Sequence, residues 1–453
     1  MKQRLALLIT TFLLISSLIP PASAFAETAS PEVTADAAIL MDLATGEILY
    51  DKQMDKQKFP ASTTKIMTAL LVMENLDLTD TVAIDEEVSF TEGSRIYLLP
   101  GEELTVEQML SALLIESAND AAVALAKKIS GSVSDFAVLM NKRAQELGAT
   151  NTHFNNANGM PDELHLTTAH DLALIAREAM KQETFRRIVT TYRYIIPATA
   201  MQDTRYLYNS NRLLYDERHK VTYNGTLRPI KYDGITGIKT GYTIAAGSCL
   251  VASAKRGDSE FVAVVLQSEP NSLYLDVIKL LEYGFDNYQT VSKMAAGETV
   301  GEVKVKDGAL GTIPVMASAD IKATLPRSAS GENLEVKVVL DEKLTAPLSK
   351  GDKAGEIQIY DGDRLVASFD AVASQDVEKS VVVSSLGIIW TVMKYVALGI
   401  LILVGVLAAI LILLILRNQR LQERRRRIRR AKRSGEVQQL TRVDLRKQGG
   451  RRV

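Results

Sequence analysis

The sequence is poor in the side chains that bind metals or form disulfides. It contains one cysteine, Cys249, and four histidines among 453 residues. A lone cysteine excludes an intramolecular disulfide, a zinc knuckle and a cysteine-ligated cluster, and four histidines leave little material for a histidine-rich metal site. We therefore expect no metal and no cofactor, and we expect Cys249 to be a buried strand residue.

A strong net charge is also missing, because the formal total is −1. This total conceals an uneven distribution. Residues 417–453 carry 15 basic and three acidic side chains, a net charge of +12, whereas residues 5–416 carry 36 basic and 51 acidic side chains, a net charge of −15. An acidic body with a basic tail argues against nucleic acid as a partner of the main domains.

An apolar run lies close to the start of the chain. It covers residues 5–19, follows two basic residues and precedes the small residues of positions 22–26. Charged, apolar and small residues in this order are typical of a secretory signal peptide, which we predict over residues 1–26. An uncleaved N-terminal anchor is the alternative.

A second apolar run lies near the end of the chain. Tyr395 to Leu416 is a stretch of 22 residues without a charge, and a helix of that length spans the ~30 Å hydrocarbon core of a bilayer. We predict a transmembrane helix over residues 390–416, with Trp390 in the interfacial belt. Because basic residues follow at once and stay cytoplasmic, residues 417–453 are predicted as a cytoplasmic tail and the body as extracellular. Membrane lipid is therefore an expected partner.

Between these ends the chain divides into two zones. Residues 33–292 mix helical and strand patterns, with strands at both ends of the zone and helices between them. This order predicts an α/β (α+β) domain with one antiparallel sheet, completed late in the chain, beside a helical region. Residues 293–376 contain short alternating strands separated by Gly and Asp turns, which predict a small antiparallel β domain.

Individual elements follow from the same periodicities. A helix beginning at Thr105 is predicted to carry a capping box with Gln108. The predicted strands are 37–42, 47–50, 237–241, 248–253 and 261–266 in the first zone, and 300–305, 334–339, 356–360 and 365–369 in the second. The other predicted helices are 62–74, 117–129, 134–147, 168–181 and 272–283.

A candidate nucleophile lies at the start of the first long helix. Ser62 and Lys65 are three residues apart, so their side chains share one helical face, and the helix N-terminus favours negative charge on the serine oxygen. For Lys65 to act as a base its pKa must fall from ~10.4 to about 7–8, which corresponds to ~4 kcal/mol. Burial and a second nearby cation would supply that shift. The alternative is a surface serine and a solvated lysine, because so short a pattern arises easily by chance.

Two further motifs follow in a fixed order. Ser117-Ala118-Asn119 begins 55 residues after Ser62, and Lys239-Thr240-Gly241 begins 177 residues after it. The set S-x-x-K, S-D-N and K-T-G is that of penicillin-binding proteins and class A β-lactamases, and Ser117-Ala118-Asn119 matches its second motif at the first and third positions. Over residues 30–376 the chain resembles the low-molecular-mass penicillin-binding proteins, which are serine-type D-alanyl-D-alanine carboxypeptidases. The stretches that carry the resemblance are 59–65, 114–121, 158–159, 165–173 and 237–243.

The resemblance implies a serine β-lactamase/transpeptidase-like fold and a catalytic set of three residues. Ser62 attacks the carbonyl of the penultimate D-alanine of a peptidoglycan stem peptide. Lys65 takes the proton of the serine, and Ser117 relays a proton to the leaving amine. β-Lactam antibiotics acylate the same serine as inhibitors, and no metal or cofactor is required.

The resemblance also implies five substrate-binding residues. Asn119 hydrogen-bonds the substrate backbone, Lys239 raises the local electrostatic potential, and Thr240 contacts the terminal carboxylate. The backbone N–H groups of Tyr242 and of the nucleophile form the oxyanion hole. Gly241 lacks a side chain that would block a ligand approaching the strand.

The chain departs from the family pattern at two places. Members often end in an amphipathic membrane-surface helix, whereas this chain carries a full span and a basic tail. Some members also have an arginine near positions 273–274 that helps to hold the substrate carboxylate, and Leu273 and Tyr274 stand here instead.

Two other functions remain open at the level of sequence. A β-lactamase of the same fold class requires a carboxylate that activates water, and Glu163 loosely resembles one. A catalytically inactive peptidoglycan-binding scaffold is the second alternative, although the intact motifs argue against it. We interpret His153, His165 and His170 as structural hydrogen-bonding residues rather than bases.

Overall fold

The computed structural model describes residues 30–433, so the predicted signal peptide and residues 434–453 lie outside the described residues. The chain forms two compact units. One unit comprises the residues up to Glu302 together with Pro314–Asp341 and Gly351–Ser374. The other comprises Val303–Ile313, Glu342–Lys350 and the residues from Gln375 onward.

A five-stranded antiparallel sheet is the centre of the first unit, with the strand order β2-β1-β11-β10-β9. Residues from the two ends of the zone meet in its middle, where Ile39 of β1 lies opposite Val264 of β11. This is the predicted antiparallel sheet that is completed late in the chain. Its strands are β1 (Ala37–Asp42), β2 (Ile48–Lys52), β9 (Ile235–Thr243), β10 (Gly247–Arg256) and β11 (Ser259–Ser268).

Helices cover both faces of this sheet. Strand residues alternate between the faces, so that Ile39 and Met41 join one hydrophobic cluster while Leu40 joins the other. The helices are α1 (Lys65–Asn75), α2 (Glu86–Ser89), α3 (Val106–Ser111), α4 (Asn119–Ser130), α5 (Val133–Glu146), α6 (Ala169–Ala179), α7 (Glu183–Thr190) and α8 (Leu273–Asn287). The predicted capping box of Thr105 and Gln108 is present at the start of α3.

Helix α8 packs tightly against one face of the sheet. A Cβ atom on Gly284 would lie 2.8 Å from side-chain carbons of Leu40 and of Phe261. The glycine therefore permits the close approach of helix and sheet. The opposite face is covered by α6 and α7, and α1, of which Ile66–Val72 is buried, packs against α6.

Three two-stranded ribbons lie outside the five-stranded sheet and were not predicted. They pair β3 with β4, β5 with β6, and β7 with β8. Their strands are β3 (Thr81–Ala83), β4 (Glu103–Thr105), β5 (Arg193–Ile196), β6 (Arg205–Tyr208), β7 (Lys220–Tyr223) and β8 (Thr226–Pro229). Helix α7 was also missed.

The later part of the chain is rich in strands, as predicted. Within the first unit β12 pairs with β15, and β16, β18, β19 and β14 pair in that order. Within the second unit Lys304–Lys306 pairs in parallel with Lys343–Thr345, so the predicted antiparallel pairing does not hold for these two strands. The strands are β12 (Tyr288–Met294), β13 (Thr299–Lys306), β14 (Thr312–Ala317), β15 (Ile321–Pro326), β16 (Leu334–Leu340), β17 (Lys343–Thr345), β18 (Lys353–Asp361) and β19 (Arg364–Ala373).

A single long helix, α9 (Val381–Arg433), ends the described chain. Its segment Trp390–Ala431 is long and apolar enough to cross a membrane by length and composition. The helix is thus consistent with a membrane anchor.

Candidate active site

The candidate nucleophile lies on a tight turn. Ala61–Thr64 forms a 3₁₀ turn, and α1 begins only at Lys65, so the predicted helix start at Ser62 is corrected to a turn that leads into the helix. Ala61 has a φ of +48°, which is strained for a residue with a Cβ atom. The hydroxyl of Thr64 donates a hydrogen bond of 2.9 Å to the carbonyl of Ala61 and closes the turn.

Two glycines allow other segments to approach this turn. A Cβ atom on Gly159 would lie 1.9 Å from the carbonyl oxygen of Ala61. A Cβ atom on Gly241 would lie 3.1 Å from the carbonyl oxygen of Pro60 and from the backbone nitrogen of Ser62. The structure therefore gives Gly241 a role beyond the expected one, because its missing side chain lets β9 approach the nucleophile.

Lys65 is buried beside Ser62. Its Nζ atom lies 3.0 Å from Ser62 Oγ, 2.7 Å from Asn119 Oδ1 and 2.7 Å from the carbonyl oxygen of Asn158. Burial, and then the positive charge of Lys239, lower the pKa of Lys65 well below its ordinary value. A buried ammonium without a carboxylate in contact favours its neutral form.

The neutral amine has a geometry suited to proton abstraction. It carries two N–H bonds and one lone pair. The two N–H bonds match the two acceptor oxygens of Asn119 and Asn158, and the lone pair is then left for the hydroxyl proton of Ser62. The three contacts of Lys65 are therefore those expected of a general base at 3.0 Å from its target.

The second motif lies where two helices meet. Ser117 has a φ of +63° and follows a π-helical turn at Ala112–Glu116, so the chain changes direction before α4. Besides contacting Lys65, the side chain of Asn119 donates a hydrogen bond of 2.7 Å to the carbonyl of Glu92. Its backbone N–H donates another of 2.7 Å to the carbonyl of Ser94, and these bonds fix its orientation.

The third motif lies on β9, an edge strand of the sheet. Lys239 is buried, and burial lowers its pKa from 10.5 to about 7; its Nζ donates a hydrogen bond of 3.0 Å to the carbonyl of Thr240. The hydroxyl of Thr240 lies 2.6 Å from that of Ser210. Tyr242 is 65% exposed, so the outer end of the strand is open to a ligand.

The structure brings some of the predicted residues into direct contact. Ser62, Lys65 and Asn119 share one hydrogen-bonded cluster, and Gly241 adjoins the Ser62 turn. Among the described residues no hydrogen bond joins Ser117 or Lys239 to that cluster. Sequence reasoning missed three partners, namely Ser210, Glu92 and the carbonyl of Asn158. The stretch 158–159 supported the family resemblance, but nothing in it indicated a bond to Lys65.

The remaining candidate residues have other positions. Glu163 is exposed on the loop before α6, whereas His165 is 1% exposed and hydrogen-bonded. His153 contacts the carbonyl of Leu164 at 3.0 Å. Cys249 is buried in β10 with a raised pKa caused by burial, in agreement with the prediction of a buried strand residue.

The fold and the site define a class of protein. A serine on a tight turn, a buried lysine beside it and an adjacent open edge strand are the parts of a serine acyl-transfer enzyme. A family model described as D-alanyl-D-alanine carboxypeptidase matches residues 24–270, and one described as penicillin-binding protein 5, C-terminal domain, matches residues 288–379. The chain therefore belongs to the D-alanyl-D-alanine carboxypeptidase family.

Individual relatives give the same result. The chain is 35% identical over 353 residues to the D-alanyl-D-alanine carboxypeptidase DacF of Bacillus subtilis, covering 76% of this chain and 86% of that protein. It is 35% identical over 298 residues to a D-alanyl-D-alanine carboxypeptidase of Streptomyces sp. strain K15, covering 63% and 99%. Penicillin-binding protein 5 from Haemophilus influenzae superposes with a TM-score of 0.57 at 29% identity, covering 77% of this chain and 99% of that chain. The predicted family, fold class and serine carboxypeptidase activity are confirmed.

Proposed function

We propose that the enzyme removes the terminal D-alanine from peptidoglycan stem pentapeptides through an acyl-enzyme on Ser62. The observation that carries this proposal is the buried amine of Lys65, 3.0 Å from the serine hydroxyl. A lysine with a strongly lowered pKa supplies the base that a serine nucleophile requires near neutral pH.

In the acylation step, the lone pair of Lys65 accepts the hydroxyl proton while Ser62 Oγ bonds to the carbonyl carbon of the penultimate D-alanine. The oxyanion that forms accepts hydrogen bonds from the N–H groups of Ser62 and Tyr242. The bond to the terminal D-alanine then breaks, and its amine receives the proton by way of Ser117. D-Alanine leaves and an ester remains on Ser62.

In the deacylation step, a water molecule attacks this ester. Lys65 accepts a proton from the water, the ester bond breaks, and the proton returns to Ser62 Oγ. The shortened peptide leaves with a new carboxylate. Penicillin forms the same ester, but the part of its opened ring that stays attached can obstruct the approach of water.

Five residues are proposed to hold the peptide. One amide hydrogen of Asn119 bonds to the carbonyl of Glu92. The second amide hydrogen is donated to the substrate backbone. Lys239 supplies positive potential, Thr240 contacts the carboxylate, and Gly241 and Tyr242 present the open edge of β9. The proximity of β9 to the nucleophile turn supports this placement.

We also propose a domain arrangement and a topology. Residues 1–26 form a signal peptide, 33–292 the catalytic domain and 293–376 the small β domain. A span over 390–416 then leaves the catalytic domain outside and residues 417–453 in the cytoplasm, because basic residues that flank a membrane span favour the cytoplasmic side. A C-terminal tag that is digested by protease added to intact cells would contradict this topology.

The decisive assay for the reaction compares peptides with the full-length enzyme in detergent. A peptide ending in D-Ala-D-Ala should release D-alanine, and one ending in L-Ala should release nothing. Penicillin should acylate the enzyme and be turned over far more slowly than the peptide. Penicillin turnover that equals peptide turnover and is lost in Glu163→Gln would favour the β-lactamase instead.

A further inference from the structure

A buried histidine that takes no part in the proposed reaction lies directly beneath the nucleophile turn. His165 is 1% exposed, and its ring meets the ring of Phe154 edge to face at 5.5 Å. Its Nε2 atom lies 2.8 Å from the hydroxyl of Thr64. Its Nδ1 atom accepts a hydrogen bond of 3.0 Å from the backbone N–H of Asn155.

These partners determine the tautomer of His165. A backbone N–H can only donate, so Nδ1 carries no proton and Nε2 carries it. Nε2–H therefore donates to Thr64 Oγ1, and the single proton of that hydroxyl is donated to the carbonyl of Ala61 at 2.9 Å. Burial lowers the pKa of His165 to about 4, against the opposing charge of Asp162, so the ring stays neutral at physiological pH. These two hydrogen bonds run from His165 through Thr64 to the carbonyl of Ala61 and are called the relay below. The direction of both bonds is fixed.

The end of the relay is the peptide group that contains the proposed oxyanion donor. The carbonyl of Ala61 and the N–H of Ser62 belong to one planar peptide unit and point in opposite directions. A hydrogen bond that holds the Ala61 carbonyl therefore also sets the direction of the Ser62 N–H. Because Ala61 has a φ of +48°, this orientation is strained and requires such a restraint.

We propose that His165 is a positioning residue for the oxyanion hole, acting through Thr64 on the peptide group between Ala61 and Ser62. The inference rests on the proposed reaction at Ser62. It assigns His165 no contact with substrate and no proton transfer. It predicts an effect on acylation and on kcat, with little effect on KM, because the Ser62 N–H stabilises charge that develops in the transition state.

The most direct test replaces the hydroxyl that links the histidine to the turn. Thr64→Val keeps the shape but breaks the relay, and Thr64→Ser keeps the hydroxyl as the matched control. Removing an oxyanion donor costs about 10²–10³ in kcat, and a misdirected donor should cost less. We expect penicillin acylation and D-alanine release to fall by about 10- to 100-fold in Thr64→Val and by less than about threefold in Thr64→Ser.

A second pair of variants separates the two nitrogen atoms of the ring. The amide nitrogen of His165→Gln takes the position of Nε2 and keeps a donor for Thr64. The oxygen of His165→Asn takes the position of Nδ1 and keeps an acceptor for Asn155. We expect the glutamine variant to retain more activity, whereas a role confined to ordering the Asn155 loop predicts that the asparagine variant retains more.

A spectroscopic readout distinguishes positioning from loss of folding. The infrared carbonyl band of the penicilloyl ester reports the hydrogen bonds in the oxyanion hole. It should shift to higher frequency in Thr64→Val and stay unchanged in Thr64→Ser. A wild-type acylation rate and band in Thr64→Val would overturn the inference. Failure of the wild-type enzyme to form the ester on Ser62 would instead refute the proposed reaction.

Discussion

The two faces of the five-stranded sheet bury different kinds of side chain. On the face covered by α8, the carboxylate of Asp276 is buried but accepts hydrogen bonds from Thr34, Ala35 and Ser268 at 2.7–3.0 Å. On the opposite side of the sheet, toward α1 (the α1 face), Lys65 and Lys239 are buried with lowered pKa values. The α8 face therefore surrounds its buried carboxylate with hydrogen-bond donors. The α1 face buries two amines in surroundings that disfavour their charged forms.

This difference means that one face of the sheet contributes mainly to stability and the other mainly to catalysis. Lowering the pKa of Lys239 from 10.5 to about 7 corresponds to on the order of 5 kcal/mol that the fold must offset elsewhere. The same destabilisation makes the lysines useful, because it places a neutral base and a titratable cation beside the serine. Changes on the α1 face should therefore alter the rate, and changes on the α8 face should alter stability.

The largest effect is expected on the α1 face at the nucleophile. Ser62→Ala removes the atom that forms the ester and should lower turnover by up to ~10⁶, as when other serine nucleophiles are removed. Labelling by fluorescent penicillin should vanish, whereas the melting temperature should stay close to that of the wild type. Labelling of the variant at the wild-type rate would contradict the account.

The second effect concerns the charge of Lys239. If its positive charge supports catalysis, kcat/KM should decline as pH rises through about 7, and by pH 9 the charged fraction falls about 100-fold. Lys239→Arg stays charged and should lack this decline, so the ratio of rates at pH 9 and pH 6 is the measurement. Lys231→Arg, at a partly exposed lysine paired with Glu217, is the control. If kcat/KM declined above pH 7 identically in the wild type and in Lys239→Arg, the positive charge of Lys239 would be excluded as the cause.

The third effect belongs to the α8 face. Asp276→Asn replaces one acceptor oxygen by an amide nitrogen, whose hydrogens then meet the backbone N–H of either Thr34 or Ala35. The free energy of unfolding should fall by about 2–3 kcal/mol, with kcat unchanged. Asp286→Asn, an exposed position on the same helix, should change neither quantity, and urea unfolding of the three proteins measures the difference.

The smallest effect is expected where α8 touches the sheet. In Gly284→Ala the new Cβ atom would lie 2.8 Å from Leu40 and Phe261 side-chain carbons. Overpacking should cost about 1–3 kcal/mol, and the better helix propensity of alanine returns up to about 1 kcal/mol. A modest loss of thermal stability with full activity is expected. A loss of activity at unchanged stability would show that the two faces are coupled.

The sequence predicted the parts of this protein that depend on side-chain type. The motifs of Ser62, Ser117 and Lys239, the antiparallel sheet and helix α8 all follow from residue identity or periodicity. Contacts made by backbone carbonyls, such as that of Asn158 with Lys65, were not predictable because every residue carries a carbonyl. Strand β5 was missed because it is short and lies in an exposed ribbon, so its sequence lacks a clear buried alternation. The strained turn at Ala61 was missed because tertiary contacts impose it.

The central claim is that Ser62 forms an ester with the peptide while Lys65 acts as its base. Rapid-quench mass spectrometry of the full-length enzyme with a stem pentapeptide tests it most directly. The account predicts a transient adduct on Ser62 with the mass of the peptide acyl group lacking one D-alanine, and predicts that Lys65→Met forms it far more slowly. An adduct mapped to another residue, or D-alanine release without any covalent intermediate under conditions that slow deacylation, would contradict the account.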